Sequence, residues 1–173
     1  MVKNLVSNFY FFNLIIYLFI FYLIISTGYF SDDFSEINRL RKNNELFSLL
    51  PSLNYINIPI LHYTHYLFYA VVGFQSIYII SVIKFFYVAL CCYFSSKFFS
   101  LFTDKYNALI ISFLFLFWPT HESTVYWHLG QYLMLTISFY LYSYYLIEKG
   151  YKFSGVIMAF MASFISYGSF PVA

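Results

Sequence analysis

The stretch PILHYTHYLFYAVVGF, residues 59–74, decides the topology of this chain. It is apolar enough to enter a membrane, yet Pro59 opens it and His62, Thr64 and His65 interrupt it. If it crosses, the turn with Lys97 and Lys105 and the turn with Lys149 and Lys152 both face away from the cytoplasm. That opposes the tendency of basic residues to stay on the cytoplasmic side of a membrane. If it lies in the interface, Lys3, Lys97, Lys105, Lys149 and Lys152 share the cytoplasmic side and the acidic loop at Asp32 and Asp33 falls outside. The second arrangement satisfies the charge rule and is the one expected. His62 and His65, three apart, then share one helical face, which suits the wet side of an interfacial helix or a pair of metal ligands.

Composition points to the same solvent. Of 173 residues, 62% are hydrophobic, 27% aromatic and only 9% charged, with a net charge of +2 and a mean hydropathy of +0.73. Too few charged side chains are present to cover a soluble domain of this size. A nucleic-acid module needs a basic stripe and a disordered tail needs many solvated groups, so both classes are excluded. Cys91 and Cys92 are neighbours inside an apolar run, where they can build neither a disulfide framework nor a thiolate metal site and read as small apolar filler. The excess of Phe and Tyr fits a compositional bias laid over membrane helices.

Working outward, apolar runs at 9–27, 77–97, 106–119, 131–147 and 153–171 each read as a helix, since about 20 helical residues cover a hydrocarbon core of roughly 30 Å. The expected fold is therefore all-α, a single polytopic transmembrane bundle of about five spans. One or two interfacial helices belong to the first outer loop, 28–76, and a second outer loop occupies 120–130. The first run is longer than the apolar core of a signal peptide and lacks a small-residue cleavage site, so it reads as a span. The polar stretch SDDFSEINRLRKNNE, residues 31–45, carries the densest charge of the chain. Asp33 followed by Glu36 reads as a helix cap, and Phe34, Ile37, Leu40, Phe47 and Leu50 recur at helical spacing until Pro51 stops the helix.

Candidate chemistry gathers in these outer loops. The turn WPTHESTVYWHLGQY, residues 118–132, sets His121, Glu122 and His128 beside Trp118, Trp127 and Tyr132. The apolar part of the preceding helix is about a dozen residues, roughly 18 Å long, so His121 and Glu122 are expected below the membrane surface, where an ionisable group marks a functional site. The competing reading starts that helix a turn earlier, near Leu101, and leaves Glu122 interfacial. No HExxH is present, because His128 stands at the wrong distance from His121 and Glu122.

Asp32 and Asp33 can accept a proton from a hydroxyl or orient a cation, and mutual repulsion raises the pKa of one of them. The plainer reading is a helix cap beside a solvated acid. Lys84 lies about seven residues inside its helix, where it either snorkels outward or meets an anionic headgroup, Asp32, Asp33 or Glu122. Few polar groups are expected deeper than Lys84. Arg39, Arg41 and Lys42 form a solvated face or hold a lipid phosphate.

The order of these features is more specific than any one of them. A first helix, SDDF (31–34), a surface helix, an interfacial segment ending VVGFQSIY (71–78), a helix, a Lys turn and a helix ending WPTHESTVYWHLGQYL (118–133) resemble the N-terminal part of a GT-C superfamily glycosyltransferase. SDDF is similar to that superfamily's acidic pair in the first outer loop. PTHESTVYWHLGQ is similar to the Pro, Glu, Trp and Gly pattern of its second.

The resemblance implies an integral membrane enzyme that moves a sugar from a polyprenyl-phosphate donor to a sugar, lipid or protein acceptor on the extracytoplasmic face. Asp32 or Asp33 would be the catalytic carboxylate, His121 and Glu122 would line the same cavity, and Lys84 and Arg39 would meet the donor phosphate. A divalent metal ion is compatible with the acidic pair, and nothing in the sequence fixes one. Such enzymes are usually longer, which implies an N-terminal portion with more helices to follow. A bacterial inner membrane with the N-terminus cytoplasmic is the expected setting, in the cell envelope. The alternatives from other classes are a non-catalytic membrane subunit for lipid-carrier translocation or assembly, a truncated inactive fragment, and a small polytopic protein whose polar groups only glue helices together.

Overall fold

A computed structural model describes residues 2–24, 77–117 and 128–165, together with Asn38. These residues form five helices and no strands: α1 (Val2–Ile24), α2 (Ile77–Phe99), α3 (Lys105–Leu116), α4 (His128–Glu148) and α5 (Lys152–Ser163). The all-helical expectation is met. Of five expected spans, however, one helix among the described residues is both long and apolar enough to cross a membrane, over Ser81–Phe99 of α2. The reason is length in α3 and α5, whose 12 residues each extend only about 18 Å. In α4 it is composition, because tyrosines and hydroxyls dilute an otherwise sufficient 21 residues.

Helix α2 is the centre of the assembly. It packs on α1, α3 and α4, while α5 packs on α4. Aromatic contacts fix the directions. Tyr87 meets Tyr132 (6.0 Å between ring centroids), Phe94 stacks on Tyr142 (4.4 Å) and Phe98 meets Tyr144 (5.8 Å), so α2 and α4 run parallel. Phe9 on Tyr106 (5.1 Å) and Phe19 on Phe113 (5.9 Å) make α1 parallel to α3. Phe21 against Phe85 (5.3 Å) then ties the C-terminal part of α1 to the N-terminal part of α2, which run antiparallel.

It follows that one end of the bundle collects the start of α1, the turn from α2 to α3, and the turn from α4 to α5. The sequence positions at that end are Lys3, Lys97, Lys105, Lys149 and Lys152. The opposite end receives the C-terminus of α1 and the N-terminus of α2, so the chain leaves α1 and enters α2 on the same side. The C-terminus of α3 and the N-terminus of α4 lie there too.

Both turns at the lysine end are locked by local chemistry. Asp104 caps α3, its carboxylate accepting from the backbone N–H of Tyr106 (2.9 Å) and of Asn107 (3.2 Å) and from the Asn107 side-chain amide. The Asn107 backbone bond first, and then the other two, hold the Asp104 carboxyl below the usual carboxylate range. The cap fixes the start of α3 at Lys105 and overturns the reading in which this helix begins near Leu101, since Leu101 and Phe102 lie in the turn.

Helix α4 ends at Gly150, whose φ of 88° is left-handed. The Tyr151 N–H donates to Leu146 O (2.8 Å) and the Gly150 N–H to Ile147 O (2.9 Å), the paired bonds of a Schellman ending. Five residues on, Gly155 lets α5 press against α4. A Cβ there would stand 2.5 Å from Ile147 Cγ1 and 2.9 Å from the Ser143 carbonyl oxygen, and Ser143 Oγ donates to the Gly155 carbonyl at 2.7 Å.

Three outcomes test this construction. Gly155→Ala lowers thermal stability in detergent by about 1–3 kcal/mol through overpacking, and adding Ile147→Ala recovers part of the loss while the backbone clash with Ser143 remains. Gly150→Ala costs about 1 kcal/mol, because open space around the residue leaves only the left-handed backbone to resist it. The Asp104 cap, whose folded pKa is depressed, contributes fully above the normal carboxyl range and is lost as pH falls through its lowered folded value. Hydrogen exchange at the Tyr106 and Asn107 amides should accelerate at that acid limit and in Asp104→Ala at neutral pH, and Asp104→Asn should restore protection.

Candidate functional site

The side chains facing the middle of the bundle mix polar groups into an apolar core. Along α2 the buried positions are Ser81, Lys84, Val88, Cys91, Cys92, Phe94 and Ser95, while Ile79, Val82, Phe86, Leu90 and Tyr93 face outward. Both sets recur every three or four residues, so they are two faces of one helix. Ser112 on α3 and Thr136, Ser138 and Ser143 on α4 are also buried. The outer surface carries Tyr10, Phe11, Leu14, Leu18 and Tyr22 on α1, and Phe153, Val156 and Phe160 on α5. The core itself is mainly apolar, built around Ile20, Val88, Leu109, Leu116 and Leu135, with these polar side chains set among them, while many large apolar side chains stay on the outer surface, as suits helices that face lipid.

Those hydroxyls have partners. Ser112 Oγ donates to Ala108 O (2.7 Å) and Thr136 Oγ1 to Tyr132 O (2.9 Å), each within its own helix. Ser95 Oγ and Ser138 Oγ stand 3.4 Å apart across α2 and α4, and Tyr140 Oη and Ser163 Oγ lie 3.0 Å apart across α4 and α5. A buried hydroxyl of α2 thus lies past Lys84 at Ser95, beyond the apolar Val88, Cys91 and Cys92, deeper than the sequence led us to expect. The signal for it was present in the spacing of Ser81, Lys84 and Ser95, which composition alone hides. Cys91 and Cys92 are buried and unbridged.

Lys84 is the one candidate residue among those the structure describes. It is fully buried (0% exposed), which removes the snorkelling alternative. Counted from Ile77, it sits about 10 Å below the end of the bundle opposite the lysine-rich turns. Burial of an ammonium group is tolerated only against a partner that compensates its lost hydration, and Lys84 is engaged.

Asp32, Asp33, Arg39, His121 and Glu122 lie outside the described residues, as do His62, His65 and the segment 59–74. The helix ends flanking them are described: Ile24 and Ile77 bracket the first segment, Leu116 and His128 the second, and all four belong to the end nearest Lys84. Among the described residues, no cluster of three or more His, Cys, Asp or Glu side chains could hold a metal ion. No protein-family model, curated protein or solved structure matches the chain.

The burial of Lys84 makes a sharp prediction. If its compensating group is one of the loop carboxylates, Lys84→Met leaves that carboxylate stranded and destabilises the bundle by about 3–5 kcal/mol. Combining Lys84→Met with Asp32→Asn, Asp33→Asn or Glu122→Gln then restores thermal stability in one pairing only. Failure of all three pairings would exclude these carboxylates as the partner.

Proposed function

We propose that the chain is a polytopic membrane protein of about five spans that transfers a sugar from a polyprenyl-phosphate donor to an acceptor on the extracytoplasmic face, in the manner of a GT-C glycosyltransferase. The observation that carries this reading is the direction of the helices. The loop with Asp32, Asp33 and Arg39 and the loop with His121 and Glu122 are strung between helix ends at one side of the bundle, and Lys84 is buried beneath that side. In this reading residues 59–74 stay in the interface, which agrees with α1 and α2 running antiparallel.

The division of labour follows from the chemistry. An acceptor hydroxyl needs a base within reach, supplied by Asp32 or Asp33, and the departing lipid phosphate needs positive charge, supplied by Lys84 and Arg39. His121 and Glu122 line the same cavity and bind the sugar. The five lysine positions at the other end agree with a cytoplasmic N-terminus, and a bacterial inner membrane is the setting this implies. A divalent ion could serve the acidic pair.

One observation favours a second reading, a non-catalytic subunit for lipid-carrier translocation or assembly. Buried polar side chains on α2 recur at Ser81, Lys84 and Ser95, spread over about 21 Å at 1.5 Å per residue, and polar groups at several depths suit a path through the membrane.

The two readings separate experimentally. With Cys91 and Cys92 replaced by alanine, single cysteines at Asp33, Glu122 and Lys152 are treated with a membrane-impermeant maleimide on intact cells. Labelling at 33 and 122 but not at 152 is expected, and labelling of 33 and 122 from opposite sides would defeat the transferase. In membranes supplied with a radiolabelled polyprenyl-phosphate hexose, Asp33→Asn should lower transfer by about 100-fold or more, with Ser95→Ala near wild type. The reverse ranking, with lipid-carrier flipping as the readout, would favour the subunit.

A further inference from the structure

The α4–α5 hairpin carries a feature that sugar transfer does not use. An open-sided groove of about 420 Å³ runs beside the turn, lined by Tyr142, Leu146, Tyr151, Ser154, Ile157 and Met158. That volume falls within the range of small-molecule sites, roughly 300–1,000 Å³. Its walls are apolar or aromatic apart from the Ser154 hydroxyl and the tyrosine phenols. It lies at the lysine-rich end, and its lining residue Tyr151 is flanked in sequence by Lys149 and Lys152, both exposed. Lys149 Nζ stands 5.9 Å over the Tyr145 ring, and Tyr145 stacks in turn on Tyr142 in the groove wall (5.8 Å, 13° between planes).

We propose that this groove binds one anionic glycerophospholipid, its acyl chain along Leu146, Ile157 and Met158 and its phosphate between Lys149 and Lys152. Two arguments select that occupant. The groove opens onto the apolar exterior of the bundle, where Phe153 is 80% exposed, and acyl chains are the solvent of such a surface. Charge complementarity then selects the headgroup. Two cations flank one short turn, and each lysine near an anionic leaflet is worth about a fivefold gain in affinity. Glu148, also exposed, is the one acid of the turn between α4 and α5, and it leaves the turn net positive. Tyr151, at the turn end of the groove, matches the interfacial preference of that side chain.

The site rests on the bundle lying in a bilayer and is independent of any transferase activity. The test titrates the full chain, purified in a neutral detergent, with dioleoyl-phosphatidylglycerol or dioleoyl-phosphatidylcholine and counts bound lipids by native mass spectrometry. One phosphatidylglycerol should bind in preference to phosphatidylcholine. Lys149→Gln with Lys152→Gln should reduce that preference roughly 25-fold, at about fivefold per lysine. Ser154→Leu, which fills the groove, should weaken both lipids alike.

Lys105→Gln removes a charge from the same end but away from the hairpin, and should leave binding unchanged. An equal loss in Lys105→Gln would reduce the effect to general surface attraction and overturn the site. So would equal binding of the two lipids, or a dimer whose formation Ser154→Leu abolishes, which would make a second copy the occupant. A chain that stays in solution without detergent would instead refute the membrane setting itself.

Discussion

The burial of Lys84 and the hydroxyl line beside it constrain everything else in this bundle. Ser81, Lys84 and Ser95 on the inward face of α2 must be surrounded, and a single neighbouring helix cannot do so. Helix α2 consequently packs against α1, α3 and α4 together. The same requirement sets the polarity of the outside. Once the polar positions have turned inward, the outward faces of α2 and its neighbours are mainly Phe, Tyr, Leu and Ile. Hydroxyls that make no bond across an interface bond to their own helix, as Ser112 and Thr136 do, which satisfies a buried hydroxyl without a second helix.

Aromatic side chains do the work of registration. Phe94 sits against both Phe139 and Tyr142, locking the parallel pair α2 and α4 in the half nearer the lysine-rich turns, while Tyr106 receives both Phe9 and Phe12. Ring pairs of this kind add roughly 0.5–1.5 kcal/mol each beyond the area they bury. In a bilayer, where burial of apolar area between helices gains little, such directional contacts decide which faces meet. The high aromatic content therefore has a structural use.

Helix positions were legible in the sequence because apolar runs of this length admit few other conformations. Their ends were less so. Helix α1 starts at Val2 rather than at Phe9, since residues 2–8 contain no proline or glycine to stop the helix from extending past the apolar run. The start of α3 depends on one carboxylate at Asp104, whose hydrogen bonds outweigh the apolar Leu101 and Phe102 just before it. Lys84 was recognisable as out of place, but its burial depends on which face of α2 its neighbours cover, and no local pattern carries that. The inward line from Ser81 to Ser95 was hidden for the same reason. The loop carboxylates belong to segments whose chemistry the sequence displays and whose arrangement needs the fold.

The two tight turns at the lysine end have a consequence for biogenesis. With α2 and α3 joined by the capped turn at Asp104, and α4 and α5 by the Schellman ending at Gly150, the described chain is synthesised as two helical hairpins. The first emerges before its partner exists. Ser95 of α2 meets Ser138 only once α4 has been made, so the inward face of the nascent hairpin waits without its final neighbour. Until the second hairpin arrives, that face must be covered by something other than its final neighbour, or it is open to mispairing with other apolar helices.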